Sequence, residues 1–393
     1  MQYPQFLHSI QPLKWSLAAA LVLGLLACNN NDGDNNNNVP TPPASSTQQL
    51  NASMSGEQEL PPTLSGALGT GSLKLDSSTR NISGSITIDG MTANAAHIHQ
   101  GEAGANGPVI VSLAETTPGT WSVPAGTTLT SAQASAFAAG GLYFNAHNNA
   151  NPNGEIRGQI GRDVFAAQLS SSQEVPTNAS SASGSGLLSL DSATKKFSAR
   201  ITVTGIAATA AHIHSGAPGI SGPIIFPLSE TAAGSGVWVA AADATLSDAQ
   251  LALLMSGSLY FNAHSAALPG GEIRGQIGRN VRFARLSATE EVPPTSSSAS
   301  GTGTLVVDPA TRAASGSITV TGLTATAAHI HLAATGVSGP IIVPLSNAGG
   351  GVFNVPAGTL LTAAQLLAYK QGNLYYNAHS VQFPTGEIRG QIR

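Results

Sequence analysis

The sequence predicts an all-β protein made of three tandem antiparallel β-sandwich or Greek-key modules, each with one short helix. Three observations lead to this prediction. Four sequence blocks recur three times, segments between glycines alternate apolar and polar residues, and charged residues make up only 9% of the chain. An ordinary soluble domain has roughly 25% charged residues, and a helical bundle uses many of them. The composition therefore favours short strands joined by Gly-rich turns.

The N-terminus, residues 1–27, is typical of a secretory signal, because its apolar run at 15–27 is shorter than the roughly 20 residues that span a bilayer. The run ends in LLAC, which resembles a bacterial lipobox, and Cys28 is the only cysteine of the chain. We expect a lipoprotein signal peptide, lipidation of Cys28 and an extracytoplasmic, membrane-anchored protein of the cell envelope. The alternative is an ordinary secretory signal with an incidental cysteine. Residues 28–47, rich in Asn and Pro, predict a flexible tether.

The remaining chain repeats one unit three times. The four blocks are AAHIH at 95–99, 210–214 and 327–331, LYFNAH or LYYNAH at 142–147, 259–264 and 374–379, GEIRGQI from Gly154, Gly271 and Gly386, and Glu-Leu-Pro or Glu-Val-Pro from Glu59, Glu174 and Glu291. The repeat length of about 115 residues suits one independent core and exceeds the roughly 20–50 residues of solenoid repeats. We therefore predict three domains, at 48–161, 162–278 and 279–393. Their short joins predict a semi-rigid string of modules.

Strand and helix patterns recur within each module. Residues 84–90, GSITIDG, alternate in the way of a half-buried strand. Residues 130–140, TSAQASAFAAG, begin with a capping hydroxyl and end at glycine, which predicts a short helix, with counterparts at 247–257 and 362–372. Each module is expected to contain about seven or eight strands and this one helix.

The order of these blocks carries a family resemblance. AHIH, a Gly-Pro turn, NAH and GEIRGQI together resemble the CHRD domain, a family named after chordin, in all three modules. The resemblance implies an extracellular β-sandwich module and no general enzymatic activity. Growth-factor binding does not carry over, because the cysteine-rich domains that accompany these modules in chordin are missing from a chain with one cysteine.

Histidine is the chemically active residue that recurs in every module. Residues two apart on a strand share a face, so His97 and His99 present adjacent imidazoles, and His147 completes a three-nitrogen site if its strand lies alongside. Three nitrogen ligands with an open fourth position are typical of Zn(II) and Cu(II) sites. The predicted metal ligands are His97, His99, His147, His212, His214, His264, His329, His331 and His379. The alternatives are hydrogen bonding that serves the fold and binding of another ligand by the imidazoles.

Further polar residues recur near these histidines. Glu155, Glu272 and Glu387 could orient a metal-bound imidazole, although an ion pair with the arginine two residues later is the simpler interpretation. Asn145, Asn262 and Asn377 are the other candidates for this supporting role, and a structural role suits them as well. Glu59, Glu174 and Glu291 could each supply a fourth metal ligand or form a solvated strand end.

Three functions remain open at this stage. The first is a non-enzymatic binding or surface-display protein with one Cu or Zn site per module, favoured because repetition rewards weak binding sites. The second is a copper-dependent redox enzyme of the superoxide-dismutase type, and the third is an adhesive or spacing protein without metal. With 16 basic and 20 acidic residues and no basic patch, we expect no nucleic-acid partner. The expected partner is the membrane, through Cys28, while a protein or glycan partner stays unidentified.

Overall fold

The computed structural model describes residues 46–393, so the predicted signal peptide, the lipidation site Cys28 and most of the tether lie outside the described residues. All the described residues belong to one compact unit. The fold is all-β with three tandem barrel or sandwich units, which confirms the predicted fold class. Within the described part of the chain, no helix is both long and apolar enough to cross a membrane.

Module 1 contains nine strands and one α-helix, slightly more strands than expected. They are β1 (Thr47–Ser55), β2 (Leu68–Asp76), β3 (Ile82–Asp89), β4 (Ala95–Gln100), β5 (Val109–Ser112), β6 (Ala114–Thr117), β7 (Thr120–Ser122), α1 (Ser131–Ala139), β8 (Leu142–His147) and β9 (Ile156–Gln159).

Modules 2 and 3 repeat this order. Module 2 has β10 (Asp163–Ser170), β11 (Ser183–Leu190), β12 (Phe197–Thr204), β13 (Ala208–Ser215), β14 (Ile224–Glu230), β15 (Val237–Ala240), α2 (Asp248–Met255), β16 (Leu259–Ser265) and β17 (Ile273–Gln276). Module 3 has β18 (Asn280–Ser287), β19 (Ser300–Val307), β20 (Ala314–Thr321), β21 (Ala325–Leu332), β22 (Ile341–Pro344), β23 (Ser346–Gly349), β24 (Val352–Asn354), α3 (Ala363–Lys370), β25 (Leu374–Ser380) and β26 (Ile388–Gln391). A 3₁₀ turn follows the first strand of every module, at Gly56–Gln58, Ser171–Gln173 and Ala288–Glu290.

The three sheets share one topology. Module 1 has the antiparallel order β5-β4-β8-β9-β1-β2-β3-β7-β6, and module 2 closes into a barrel because β14 pairs with both β13 and β15. In module 1 the equivalent strand is split at Leu113 into β5 and β6, so the same path is divided between two short strands. The first strand meets the last strand in every module, at Ser55 opposite Arg157, Ser170 opposite Arg274 and Ser287 opposite Arg389.

Each helix begins at a capping box. The Thr130 hydroxyl accepts from the Gln133 amide, and the Gln133 side chain accepts from the Thr130 amide, so two of the free donors at the helix start are satisfied. Gly140 ends α1 with φ +74°, a left-handed conformation that favours glycine. Phe137 turns fully into the core of module 1, where it packs beside the apolar faces of the strands.

The modules do not form a simple string, because module 1 touches module 3. Lys370 at the end of α3 forms an ion pair with Glu57, with 2.9 Å between Nζ and Oε1, and both side chains are almost fully buried. Arg312 pairs with Asp89 across the same contact. Gly66 lies against the start of α3, where a β-carbon would come within 1.9 Å of the Ala363 carbonyl oxygen. The modules are therefore not arranged in a line, because the first and third modules meet. Glu57 and Lys370 do not recur between modules, whereas Arg312 recurs as Arg80.

Candidate metal centre

The candidate site lies on one face of two neighbouring strands in each module, β4 and β8 in module 1. In module 1, His97 lies opposite Asn145 on β8, and His99 lies opposite Tyr143. Because residues opposite one another in an antiparallel pair share a face, these side chains stand together with His147. The alternate residues of β4 and β8 point into the hydrophobic core, and they are Ala96, Ile98, Phe144 and Ala146.

Three imidazoles converge on this face. The Nδ1 atom of His97 is 3.0 Å from the Nε2 atom of His147, and the His97 and His99 ring centroids are 5.8 Å apart. One ligand atom from each of the three rings lies within 4.8 Å of the others. The grouping recurs in module 2 with His212, His214 and His264 and in module 3 with His329, His331 and His379. In those modules the close nitrogen contact measures 3.1 and 2.9 Å.

Backbone carbonyls select the tautomers of two rings. Nδ1 of His99 is 2.9 Å from the Gly107 carbonyl oxygen, and Nδ1 of His147 is 3.1 Å from that of Pro152. A carbonyl oxygen only accepts, so both Nδ1 atoms carry the hydrogen and both Nε2 atoms keep a lone pair. The buried Nε2 of His99 has no hydrogen-bond partner among the described residues, and neither do those of His214 and His331. In each module, the lone pair of one imidazole nitrogen therefore has no hydrogen-bond donor among the described residues.

The third ring, His97, is the more exposed one. Since His147 presents a lone pair at Nε2, His97 donates its Nδ1 hydrogen to it in the absence of metal. Coordination by His97 through Nδ1 would move that hydrogen to the outer Nε2. Metal binding would then replace the hydrogen bond between His97 and His147 with one bond from each of these histidines to the ion.

Burial keeps these imidazoles neutral. It lowers the pKa of His97, His99 and His147 below the ordinary value of about 6.5, and the same direction holds in modules 2 and 3. For His99 and His147, the hydrogen bond to a carbonyl oxygen opposes the effect without cancelling it. Neutral imidazole is the form that binds a metal ion.

A tyrosine ring packs against His99, and an arginine guanidinium packs against that tyrosine ring. The Tyr143 ring stacks on His99 with 4.8 Å between centroids, and the Arg157 guanidinium carbon lies 3.5 Å from the Tyr143 centroid. Arg157 is 1% exposed and donates to the carbonyls of Glu102 and Ala105. The Tyr143 hydroxyl accepts from the Gly107 amide. This layer fixes the loop whose carbonyl orients His99. Tyr143 was not among the residues predicted for the site, although it recurs as Tyr260 and Tyr375.

The predicted supporting carboxylates hold loops instead. Glu155 accepts from the Ser65 hydroxyl at 2.6 Å and from the side chains of Asn148 and Asn151. Among the described residues it forms no ion pair with Arg157, so the ion-pair interpretation is wrong. The guanidinium turns toward carbonyl oxygens and the tyrosine ring. Glu272 and Glu387 accept in the same way from the hydroxyls of Ser180 and Ser297. Backbone carbonyls, rather than these carboxylates, orient the imidazoles.

Glu59 is buried beside the site rather than solvated. It is 4% exposed, and its Oε2 lies 3.5 Å from the Asn145 amide nitrogen. Its Oε1 and the Asn145 Oδ1 have no partner among the described residues, and the same holds for Glu174 with Asn262 and for Glu291 with Asn377. Burial raises the pKa of Glu59, Glu174 and Glu291 to about 7. The expectation of a solvated strand end is wrong.

Glycine is required above this carboxyl. Gly154 adopts φ +127°, and a β-carbon there would lie 2.6 Å from both Glu59 Oε1 and Asn145 Oδ1. The first residue of the recurring GEIRGQI block therefore leaves space for the Glu–Asn pair. The metal-capable grouping contains only the three histidines of each module within the described residues, and no carboxylate joins it.

The comparisons with known proteins agree with the repeated geometry. The family model of the CHRD domain matches residues 50–160, 165–277 and 282–392, which confirms the resemblance carried by the recurring blocks. No curated protein and no solved structure matches the chain. The three matches cover most of the sequence and each contains one histidine triad. The chain therefore belongs to the CHRD domain family, with three copies of the domain in tandem.

Proposed function

We propose that the protein is a non-enzymatic metal-binding module of the bacterial cell envelope, with one Cu(II) or Zn(II) ion held by three imidazoles in each domain. The observation that supports this proposal is the buried Nε2 of His99, His214 and His331, which lacks a partner in all three copies. A buried nitrogen without a hydrogen bond is costly, and a metal ion would use its lone pair.

The donor set selects the metal class. Imidazole nitrogen suits Cu(II) and Zn(II), whereas Mg²⁺ and Ca²⁺ prefer oxygen ligands. His97, His99 and His147 would hold the ion in module 1, and an exogenous group would fill the fourth position. When bound, the ion supplies Lewis acidity and, if it is copper, one-electron chemistry. The backbone carbonyls of Gly107 and Pro152 keep two of the rings oriented for it.

Repetition favours binding over catalysis. Three similar sites on one chain raise the capacity for metal and the avidity for any repeated partner. The LLAC sequence ending at Cys28 supports attachment to a membrane through lipid, with the three domains outside the cytoplasm. In this proposal the protein binds metal at the envelope surface and presents its domains to partners there.

Metal stoichiometry tests the proposal directly. The full chain without a His tag is loaded with Cu(II) or Zn(II), passed over a desalting column and analysed by mass spectrometry for bound metal. We expect three ions per chain. Replacing the triad of one module by alanine, as in the variant H97A/H99A/H147A, should reduce the count to two, and removing all three triads should reduce it to none.

The two untouched triads serve as controls within each molecule. A wild-type chain that takes up neither metal, or a count that ignores the triads, would overturn the proposal in favour of histidines that serve the fold. Superoxide consumption by the copper-loaded chain that disappears in the triad variants would instead establish the redox enzyme.

A further inference from the structure

The sequence contains two Asn-Gly dipeptides, and both lie in loops of module 1. They are Asn106-Gly107 between β4 and β5 and Asn153-Gly154 between β8 and β9. Asparagine is a thermolabile residue. A following glycine makes it less stable still, because no β-carbon hinders the approach of the glycine nitrogen to the asparagine side chain. The corresponding asparagine positions are occupied by Ser221 and Gly270 in module 2 and by Ser338 and Thr385 in module 3.

The side chains of both asparagines are exposed to solvent. Asn106 donates to the Leu60 carbonyl oxygen at 3.2 Å, whereas the side chain of Asn153 has no hydrogen-bond partner among the described residues. The two glycine amides each donate one hydrogen bond, to the Tyr143 hydroxyl and to the Asn151 carbonyl oxygen. The two dipeptides therefore differ in the freedom of the asparagine side chain, and Asn153 is the freer one.

Each dipeptide lies beside a carbonyl group that orients an imidazole of the triad. Gly107 itself carries the carbonyl oxygen that lies 2.9 Å from His99 Nδ1. Pro152, whose carbonyl oxygen lies 3.1 Å from His147 Nδ1, directly precedes Asn153. A change of the main chain at either dipeptide therefore moves an acceptor that fixes the tautomer of a histidine.

We propose that module 1 is a site of spontaneous deamidation, at Asn106 and Asn153, and that this modification selectively disables its histidine triad. The glycine nitrogen bonds to the side-chain carbonyl carbon of the asparagine and loses its proton, and ammonia leaves, which forms a cyclic imide. Water then opens the ring at either carbonyl and leaves aspartate or isoaspartate. The reaction changes no oxidation state, and water is its only co-reactant.

The products disturb the carbonyl groups that orient the imidazoles. Isoaspartate adds one methylene carbon to the main chain, next to Gly107 at one dipeptide and next to Pro152 at the other. At position 106 the new carboxylate only accepts, so the Leu60 carbonyl oxygen loses its donor. Loss of an orienting partner costs about 10–100-fold in metal affinity. This consequence rests on the metal-binding function proposed above, whereas the modification itself does not.

The test incubates the full chain in mildly alkaline buffer and follows the peptides of a proteolytic digest by mass spectrometry over time. We expect deamidation at Asn153 and Asn106 to be at least tenfold faster than at Asn347, an exposed asparagine that is followed by alanine. Asn153 should react first. The variant N106S/N153T, which carries the residues of module 3 at both positions, is the matched control and should keep module 1 intact.

Two further measurements on the aged wild type follow the triad. In NMR spectra of the imidazoles without metal, the Nδ1–H signals of His99 and His147 should weaken, and the count of bound metal should fall from three ions toward two. Conversion at Asn106 and Asn153 no faster than at Asn347 would overturn the proposal. Deamidated chain whose His99 and His147 signals match those of N106S/N153T would overturn it as well. If the fresh chain binds no metal, the proposed function fails, while the peptide and NMR measurements still decide this inference.

Discussion

At the residue scale, the carboxyl of Glu59 is buried without an ion-pair partner among the described residues, and so are those of Glu174 and Glu291. Removing a carboxylate from water favours its protonated form. A proton on Glu59 also converts one of two adjacent acceptor oxygens into a donor, which the Asn145 Oδ1 can use. The free energy of unfolding therefore depends on pH through these three buried carboxyl groups.

Replacing all three by glutamine should change the pH dependence of stability. The folded pKa is about 7 and the unfolded value about 4.5, so the folded state holds protons in this range that the unfolded state releases. This contribution is full below pH 4.5 and is lost as pH rises through 7. We expect wild type to lose free energy of unfolding relative to the variant E59Q/E174Q/E291Q over this interval, by up to about 3 kcal/mol per module.

Urea denaturation at steps of half a pH unit measures this difference. Both chains contain the same ten histidines, so histidine titration cancels in the comparison. The control is Glu115→Gln, which alters an exposed carboxyl of module 1. Parallel pH profiles for wild type and the triple variant would contradict the prediction.

Strand periodicity predicted which histidines come together, because residues two apart on a strand lie on one face, as His97 and His99 do. It could not predict that Glu59 is buried. Burial there depends on β1 and the segment after it packing over strands about 90 residues later, and no local pattern encodes that contact. The orientation of the Arg157 side chain could not be predicted either, because its carbonyl partners lie on the loop after β4, more than 50 residues away in the sequence.

At the element scale, the helices follow their sequence signals closely. Thr130, Ser247 and Thr362 each cap a helix, and a glutamine three residues later completes the box. Cap and stop residues act locally, so the sequence alone located these helices within one or two residues. The split of the strand at Leu113 was not predictable, because the unbroken β14 of module 2 forms the corresponding pairs with two neighbours.

Removing one cap tests this local control. Thr130→Ala deletes the hydroxyl that accepts from the Gln133 amide, and the expected loss is about 1 kcal/mol. Native-state hydrogen exchange of the α1 amides measures it as a lower free energy of local opening. Ser131→Ala, which alters an exposed hydroxyl one residue later, should leave the exchange unchanged. An equal effect of both substitutions would argue against the capping role.

At the scale of the whole molecule, one buried ion pair helps join the first and third modules. Glu57 corresponds to Ser172 and Thr289 in the other copies, and Lys370 corresponds to Ala138 and Met255. Because neither residue recurs, comparison of the repeats could not locate this contact. Glu57 and Lys370, which differ between the modules, help join the first module to the third, whereas the recurring residues build each barrel.

Breaking the pair on one side should loosen the assembly. Lys370→Met leaves the Glu57 carboxylate buried and uncompensated, a loss of about 3–5 kcal/mol in comparable sites, whereas the variant E57L/K370M should recover most of it. Small-angle scattering should give a larger radius of gyration for Lys370→Met than for the double variant. Lys196→Met removes an exposed pair with Asp243 and is the control. Equal scattering curves for all four chains would refute the role of the pair.

The closure of each module by its last strand has a consequence for biosynthesis. Ser55 meets Arg157 only after about a hundred further residues have been made, and the same delay precedes the closure of modules 2 and 3. A nascent chain grows from its N-terminus, so every module waits with unpaired strand edges until its own GEIRGQI segment emerges. Each module can therefore close only after its own last strand is available, so the three closures follow one another in chain order.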